Sequence, residues 1–338
     1  MKVIVQIPCF NEEKTLPVTL AGLPRVLSSG HRVEVLVIDD GSVDRTVEVA
    51  RGLGVEHLVV LPSHQGLARA FMTGLEESLR LGADVIVNTD ADNQYDARDL
   101  ERLIAPILEG RADLVVGDRN VQAIGHFSVL KKLLHRLGDR IMQRLAGIEL
   151  MDSTSGFRAY SREAALRLNV FSRFTYTLET LIQAGKKNLA VAHVRVGVNQ
   201  KLRDSRLFPN LWFYLKRSAS TMIRIYALYE PLKVFSYLGA LVGGIGLVIL
   251  LRFLYYYLTT EGPTGRLQSL LMGVTLLAMG IFIGLIGVVS DVIAANRQLL
   301  EDVQYRLRKM EADRAKEEPG TGSTRPETPT LAATRRKS

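Results

Sequence analysis

Val85-Ile86-Val87-Asn88-Thr89-Asp90-Ala91-Asp92-Asn93-Gln94 is the stretch on which the reading of the fold turns. Its β-branched start, Val85–Val87, has the unbroken apolar character of a strand buried on both faces of a parallel sheet. Two carboxylates, Asp90 and Asp92, and the amide of Gln94 follow at once. In open α/β sheets, ligands sit beyond the carboxyl ends of the strands. Hard oxygen ligands in that place suit Mg²⁺ or Mn²⁺ holding a diphosphate. An Asp-x-Asp alone is weak, because surface turns produce it often; its weight here comes from position and company.

Outward from that run, strand-like segments at Val3–Ile7, Val33–Ile38, Val55–Leu61 and Leu114–Val116 alternate with helical patterns near 12–28, 44–52, 66–81 and 96–109. Such alternation predicts an α/β domain with a mostly parallel sheet and right-handed crossovers. Residues 127–146 read as a basic amphipathic helix carrying Lys131, Lys132, His135, Arg136, Arg140 and Arg144, and a further strand is expected at Ala190–Val198. The apolar run Met1–Ile7 is short for a signal peptide and reads as the first strand.

The chain has 338 residues, 47% of them hydrophobic, and a net charge of +8. Much of the basic excess comes late, in Lys201–Arg206, Lys216–Arg224 and the tail. That placement fits an anionic membrane surface or a phosphorylated ligand. No zinc-knuckle, homeodomain or RNA-recognition pattern accompanies it, so nucleic acid is not an expected partner. One cysteine, Cys9, excludes an intramolecular disulfide framework and agrees with a reducing compartment. It reads as a small packed hydrophobe.

After a first domain over residues 1–206 the character changes. Residues 207–232 mix Phe208, Trp212, Phe213, Tyr214, Tyr226 and Tyr229 with Lys216, Arg217 and Arg224. Helices lying in a membrane interface fit this mixture, as does a helix packed on the first domain. Val234–Leu251 and Leu267–Ser290 then run for 18 and 24 residues without a charge. Both are long enough to cross a hydrocarbon core, at about 234–258 and 267–290 of a hairpin over 233–295. Glycines in both segments suit close packing of the two helices. Basic flanks at Lys216–Lys233 and Arg297–Lys309 put the large domain and the C-terminus in the cytoplasm of a multi-pass membrane protein. Residues 296–316 resume as a charged helix with Leu300, Val303, Leu307 and Met310 at a/d spacing. Two heptads are few for a coiled coil, though they suit a self-association seam in a homo-oligomer. Residues 317–338, rich in Pro, Gly, Thr and charge, are expected to be disordered.

Chemistry concentrates after the strands. Pro8-Cys9-Phe10-Asn11-Glu12-Glu13 follows the first, Asp39-Asp40-Gly41-Ser42 the second, and Asp90-Ala91-Asp92 the fourth. Helix-cap and turn roles suit Asp40, Asp44 and Ser42 individually. They do not explain why acids recur after three strands, where like charges repel unless a cation or basic ligand intervenes. An EF-hand beginning at Asp90 fails, since Tyr95 stands where that loop needs glycine.

Together these motifs resemble the family 2 glycosyltransferases of the GT-A, Rossmann-like fold. Gly117-Asp118-Arg119, Asp152-Ser153-Thr154-Ser155-Gly156-Phe157-Arg158-Ala159 and Arg203-Asp204-Ser205-Arg206 narrow the likeness to the polyprenyl-phosphate glycosyltransferases, such as the dolichol-phosphate mannosyltransferases. The resemblance implies a nucleotide-sugar donor, a polyprenyl-phosphate acceptor (undecaprenyl or dolichyl) and a Mg²⁺- or Mn²⁺-dependent, inverting transfer. By the same resemblance Pro8, Phe10, Glu12, Asp39, Asp40 and Ala91 would hold the nucleotide. Asp90, Asp92 and Gln94 would hold the metal and diphosphate, and Arg119, Lys132, Arg203 and Arg206 the acceptor phosphate. Asp90, Asp92, Arg119 and Arg203 are then the catalytic set. Simple pairing of Arg119 with Asp118 and of Arg203 with Asp204 is the competing reading. Glu179, in an apolar helical stretch, fits either a sugar contact or an ion pair with Lys186 or a nearby arginine.

Other functions fare worse. A processive polysaccharide synthase shares the fold, but its Gln-x-x-Arg-Trp signature is missing, since the single tryptophan lies in Leu211-Trp212-Phe213-Tyr214. A nucleotidyltransferase lacks its Gly-rich, Lys-bearing loop. An inactive membrane scaffold does not account for the acids after three strands.

Overall fold

The computed structural model describes residues 1–119, 129–149, 151–171, 176–199, 220, 224, 226–259 and 267–317, with backbone alone at 129–137 and 316–317. Strands β1 (Val3–Cys9), β2 (Val33–Asp39), β3 (His57–Val60), β4 (Val85–Asn88), β5 (Leu114–Asp118), β6 (Arg158–Ser161) and β7 (Val191–Arg195) form one sheet in the order β3-β2-β1-β4-β6-β5-β7. All run parallel except β6, which is antiparallel to both β4 and β5. The strand β6 is absent from the sequence reading, which took residues 152–159 as a motif only.

Side chains alternate across the sheet, as the two-residue period of a strand requires. Ile4, Leu36, Ile38, Ile86, Leu114 and Val116 face α3 (Leu67–Arg80), α5 (Val129–Ala146), α6 (Arg162–Arg167) and α7 (Thr177–Lys186). Val3, Val5, Ile7, Val35, Val37, Val85 and Val87 face α1 (Leu16–Gly22), α2 (Thr46–Gly52) and α4 (Leu100–Leu108). Burial on both faces explains why β1, β2 and β4 read as continuous apolar runs.

Two long helices follow, α8 (Pro231–Thr259) and α9 (Leu267–Glu317). Each is long and apolar enough to cross a membrane, and only 17% of either apolar window is buried. Leu241, Val248, Phe282 and Leu285 point outward, unlike the side chains of a soluble core helix. The helices meet through glycine. A Cβ on Gly239 would lie 2.6 Å from the Gly280 carbonyl oxygen, and one on Gly246 2.5 Å from Leu277 N. Gly244 and Gly284 have open space around the same position.

Helix α9 runs without a break where the sequence suggests a spanning segment and then a separate charged helix at 296–316. Its polar end docks on the sheet domain. Arg308 reaches Glu76 of α3 and the Leu168 carbonyl, each at 2.9 Å, and Arg162 of α6 meets Asp313 at 2.8 Å. Tyr305 donates to Glu163, Asn169 to Gln304, and Ala312 enters the core beside α3 and α6. Arg297 lies over the rings of Phe171 and Tyr229 at 4.9 and 4.6 Å. Leu300, Val303, Leu307 and Met310 are each more than half exposed, on the side away from this contact. The expected interfacial helices fall mainly outside the described residues, as do the hairpin loop 260–266 and the tail from residue 318.

Candidate active site

Parallel strands release their following loops at one edge, so the acids after β1, β2 and β4 share a rim. Register fixes their height: Cys9 lies opposite Asp39, and Gln6 opposite Asn88. Continuing β4 by two residues brings Asp90 level with Pro8, within one residue of Asp39. Since β2 and β4 flank β1, the two acids stand roughly 10 Å apart at the backbone.

The first two loops are stitched together. Asn11, at φ 56°, donates its N–H to Ser42 Oγ at 2.8 Å and accepts from Val43 N at 2.9 Å. Glu12 N donates to Thr46 Oγ1, and the buried Glu12 carboxylate takes the Thr15 hydroxyl at 2.5 Å. Asp44 precedes the N-cap residue Arg45 of α2 and accepts from Thr46 N at 3.0 Å. Pro8 is buried in β1, while Phe10 is half-buried and stacks on His64 with centroids 4.0 Å apart. Asp40 is buried and accepts from Gln65 N at 2.8 Å and Gly66 N at 2.9 Å, and its Oδ2 lies 2.8 Å from His64 Nδ1. Its carboxylate ties the loop after β3 to the end of β2. Asp39 accepts from Ser42 N through Oδ2 at 3.1 Å, and its buried Oδ1 has no partner among the described residues.

The third loop is held from both sides. The Ala91 carbonyl accepts from Thr19 Oγ1 at 3.0 Å, and Asp92 Oδ1 from Gln94 N at 3.1 Å. Asn199, beyond β7, donates to the Gln94 and Tyr95 carbonyls at 2.9 Å. Burial, and then the neighbouring Asp92 carboxylate, push Asp90 up to about 7, against the pull of Arg119 and Arg158. Gly156 presses on this group: a Cβ there would lie 2.5 Å from Asp90 Oδ2. Tyr95, which burial pushes up to about 12, accepts the Gly156 N–H at 2.7 Å.

Strand β6 explains how Gly156 arrives. Because β6 runs against its neighbours, with Arg158 opposite Asn88 and Val116, the segment before it lies on the rim that β4 and β5 leave. Arg119 meets that segment with both prongs, Nε to Asp152 Oδ2 at 2.7 Å and Nη2 to Asp152 Oδ1 at 2.9 Å. Its carboxylate partner is Asp152, where the sequence suggested Asp118. Burial works against the Arg119 cation, but Tyr95 and Asp152 outweigh it and hold the group charged. Arg158 is wholly buried and donates to the Ser153, Ser155 and Thr177 carbonyls and to Thr180 Oγ1. Below the rim, Gln6 donates to Asn88 Oδ1, and Asn88 Nδ2 to the Gly156 carbonyl and Tyr176 Oη. None of Asn88, Tyr95, His64, Asn199 or Arg158 was given a role from sequence. Gln6 and Asn88, polar residues inside apolar strands, are the signal that points to this network.

Glu179 is buried and accepts from Phe171 N at 3.0 Å and Gln183 Nε2 at 3.3 Å, whereas Lys186 pairs with Glu230. Arg203 and Arg206 lie outside the described residues, as does the side chain of Lys132.

Asp90 and Asp92 fit a divalent cation. The Asp92 carboxylate adds to the cost of ionising the recessed Asp90, which a cation between them would relieve. Among the described residues no third His, Cys, Asp or Glu completes a cage. That suits an ion such as Mg²⁺, which takes its remaining ligands from substrate phosphates and water.

A mostly parallel sheet with acidic loops on its carboxyl rim defines a nucleotide-binding α/β protein of the GT-A type. The model of glycosyl transferase family 2 matches residues 4–168. The chain is 30% identical over 215 residues to the UDP-N-acetylglucosamine–dolichyl-phosphate N-acetylglucosaminyltransferase of Methanococcus voltae, covering 56% of this chain and 82% of that one. It is 31% identical over 176 residues to the polyprenol monophosphomannose synthase of Mycolicibacterium smegmatis, covering 50% and 65%. Among solved structures, glucosyl-3-phosphoglycerate synthase from Mycobacterium tuberculosis, in complex with Mn²⁺, UDP-glucose and phosphoglyceric acid, superposes with a TM-score of 0.53. At 21% identity, over 67% of this chain and 78% of that one, this likeness establishes the fold alone. The chain belongs to glycosyl transferase family 2, and it is a glycosyltransferase.

Proposed function

We propose that the protein transfers a sugar from a nucleotide-sugar donor to a polyprenyl phosphate, undecaprenyl or dolichyl, at the cytoplasmic face of a membrane. The observation that carries this reading is the joining of an acidic donor rim to two long apolar helices through one continuous helix, α9. Relatives named for transfer to dolichyl phosphate and for polyprenol monophosphomannose synthesis support the acceptor class.

Pro8, Phe10, Glu12, Asp39 and Ala91 would line the nucleotide, with Asp40 acting through the loop it holds. Asp90, Asp92 and Gln94 would hold Mg²⁺ or Mn²⁺; the bound ion supplies charge neutralisation for the departing diphosphate. The nucleophile is a phosphate monoester with its second pKa near ~6, already largely anionic at neutral pH. No strong general base is then required. The chain must instead align two anions and relieve their repulsion, a task for Arg119, Lys132, Arg203 and Arg206. One in-line displacement inverts the anomeric centre.

The test is purified protein with Mg²⁺ or Mn²⁺, labelled nucleotide sugars and undecaprenyl or dolichyl phosphate. Labelled lipid product is expected, with its formation abolished by EDTA. Transfer to water or to a growing polymer in place of the lipid phosphate would overturn the acceptor assignment.

A further inference from the structure

Helix α9 leaves its apolar stretch at Asp291 and from there on shows two different faces. One is occupied. Arg297, Gln304, Tyr305, Arg308 and Ala312 carry the contacts to the sheet domain already described, and Glu301 adds an ion pair with Lys187 at 2.9 Å. The other is bare. Leu300, Val303, Leu307 and Met310 are 69, 53, 55 and 53% exposed, and Leu299 beside them 67%. At about 100° per residue, the centres of the two faces lie roughly 140° apart around the axis. An apolar stripe of this kind on a polar helix marks a contact surface.

Lipid is a poor cover for it. Leu300 and Met310 stand roughly 14 and 28 Å beyond Asp291 along the axis. Asp302, Arg306, Lys309 and Glu311 are exposed around them.

The stripe has the pattern of a seam between two helices. With Leu300 and Leu307 at a, and Val303 and Met310 at d, Arg306 falls at g and Glu311 at e, on opposite flanks of the apolar residues. In a parallel pair, the g residue of one helix faces the e residue of the following heptad on the other. Arg306 would then meet the partner's Glu311, and two-fold symmetry makes the contact twice. The hairpin imposes the same direction, since two copies inserted alike in one bilayer carry their α9 helices parallel. Asn296 and Arg314 take the next d and a positions, so the seam is short and has polar ends. Confinement of both hairpins to one membrane raises the effective concentration and offsets that shortness.

We propose that the Leu300–Met310 face of α9 pairs in parallel with the same face of a second copy of this chain, outside the membrane. This rests on the membrane reading given above.

Cysteine oxidation in membranes carrying the full chain tests it, with wild type as the blank because its single cysteine, Cys9, is buried. Leu307→Cys is expected to give a disulfide-linked dimer, because identical a positions face one another; Lys309→Cys, at c, is expected to give none. Adding Arg306→Glu to Leu307→Cys should lower the dimer yield severalfold, and adding Glu311→Arg as well should restore it. Light scattering after mild detergent extraction should give the mass of two chains or a multiple of two. That mass should halve when Leu300→Glu and Leu307→Glu are combined, at an unchanged melting temperature. Equal cross-linking at 307 and 309 overturns the proposal. So does a monomeric wild type, which would assign the stripe to lipid or to residues 207–232. A dimer that fails to cross-link through Leu307→Cys, or that Glu311→Arg does not restore, overturns the parallel register. Release of the chain from membranes by alkaline carbonate overturns the membrane reading, and it is scored independently of mass and cross-links.

Discussion

The acids after β2 and the acids after β4 stand on loops either side of the one after β1, yet the protein treats them in opposite ways. Two backbone N–H groups donate to Asp40, and the His64 ring lies against it. Asp90 has Asp92 for a neighbour and is pushed up to about 7 by burial and by that second carboxylate. An acid whose charge the chain itself satisfies holds a loop in place. An acid whose charge the chain leaves costly is suited to a cation from outside. Two short acidic motifs that look alike in sequence thus differ in how the chain satisfies their charge, and the function proposed above gives one an architectural and the other a chemical duty.

Removing the carboxylate beside the costly Asp90 should affect chemistry and spare the fold. Asp92→Ala is expected to lower transfer by about 100-fold or more while leaving the thermal midpoint at or above that of wild type. Full transfer by this variant would erase the distinction between the pairs. Removing the satisfied acid should do the reverse. Asp40→Ala strips the charged acceptor from the part-buried N–H groups of Gln65 and Gly66 and is expected to cost about 2 kcal/mol of stability, seen as a lower melting temperature without metal. Gly156→Ala probes the boundary between them. Its new Cβ meets Asp90 Oδ2 at 2.5 Å, so Mn²⁺ affinity should fall about tenfold by calorimetry in a folded protein.

Glu34 provides the smallest and sharpest control, an acid far from the rim that the chain also satisfies. Burial raises its pKa, but His57 and Lys2 outweigh that and hold it below the usual carboxylate range. A depressed pKa means that the ionised form stabilises the fold. The contribution is present above the ordinary glutamate pKa and is lost as pH falls through it toward the folded value. Thermal midpoints taken against pH should therefore show a shallower acid-side decline in Glu34→Gln than in wild type. Parallel curves would assign no stabilising role to this pair.

Physical separation in the chain decides how much could be read from residues alone. The apolar runs of β1, β2, β4 and β5 are local patterns, and so are the acids at their ends, so the sheet and the Asp90–Asp92 pair follow from sequence. Strand β6 does not, because Arg158-Ala159-Tyr160-Ser161 is too short and too mixed to carry a period. Asp40 finds its partners at residues 64–66, and Arg119 finds Asp152 some 33 residues on. No spacing rule predicts such meetings, since they are set by strand order. The break expected near residue 296 is missing for a simpler reason: change of polarity is no obstacle to helix, and no proline or glycine interrupts 288–317.

That unbroken rod has a mechanical consequence. Helix α9 rises from the apolar hairpin and is clamped at its far end to α3 and α6, so the sheet has a fixed azimuth about it. One residue inserted between Val292 and Asn296 would swing everything beyond by about 100°, whereas seven would restore the phase to within about 20° and add about 10 Å of reach. Such a ladder of insertions separates a need for orientation from a need for distance between the sheet and the apolar hairpin.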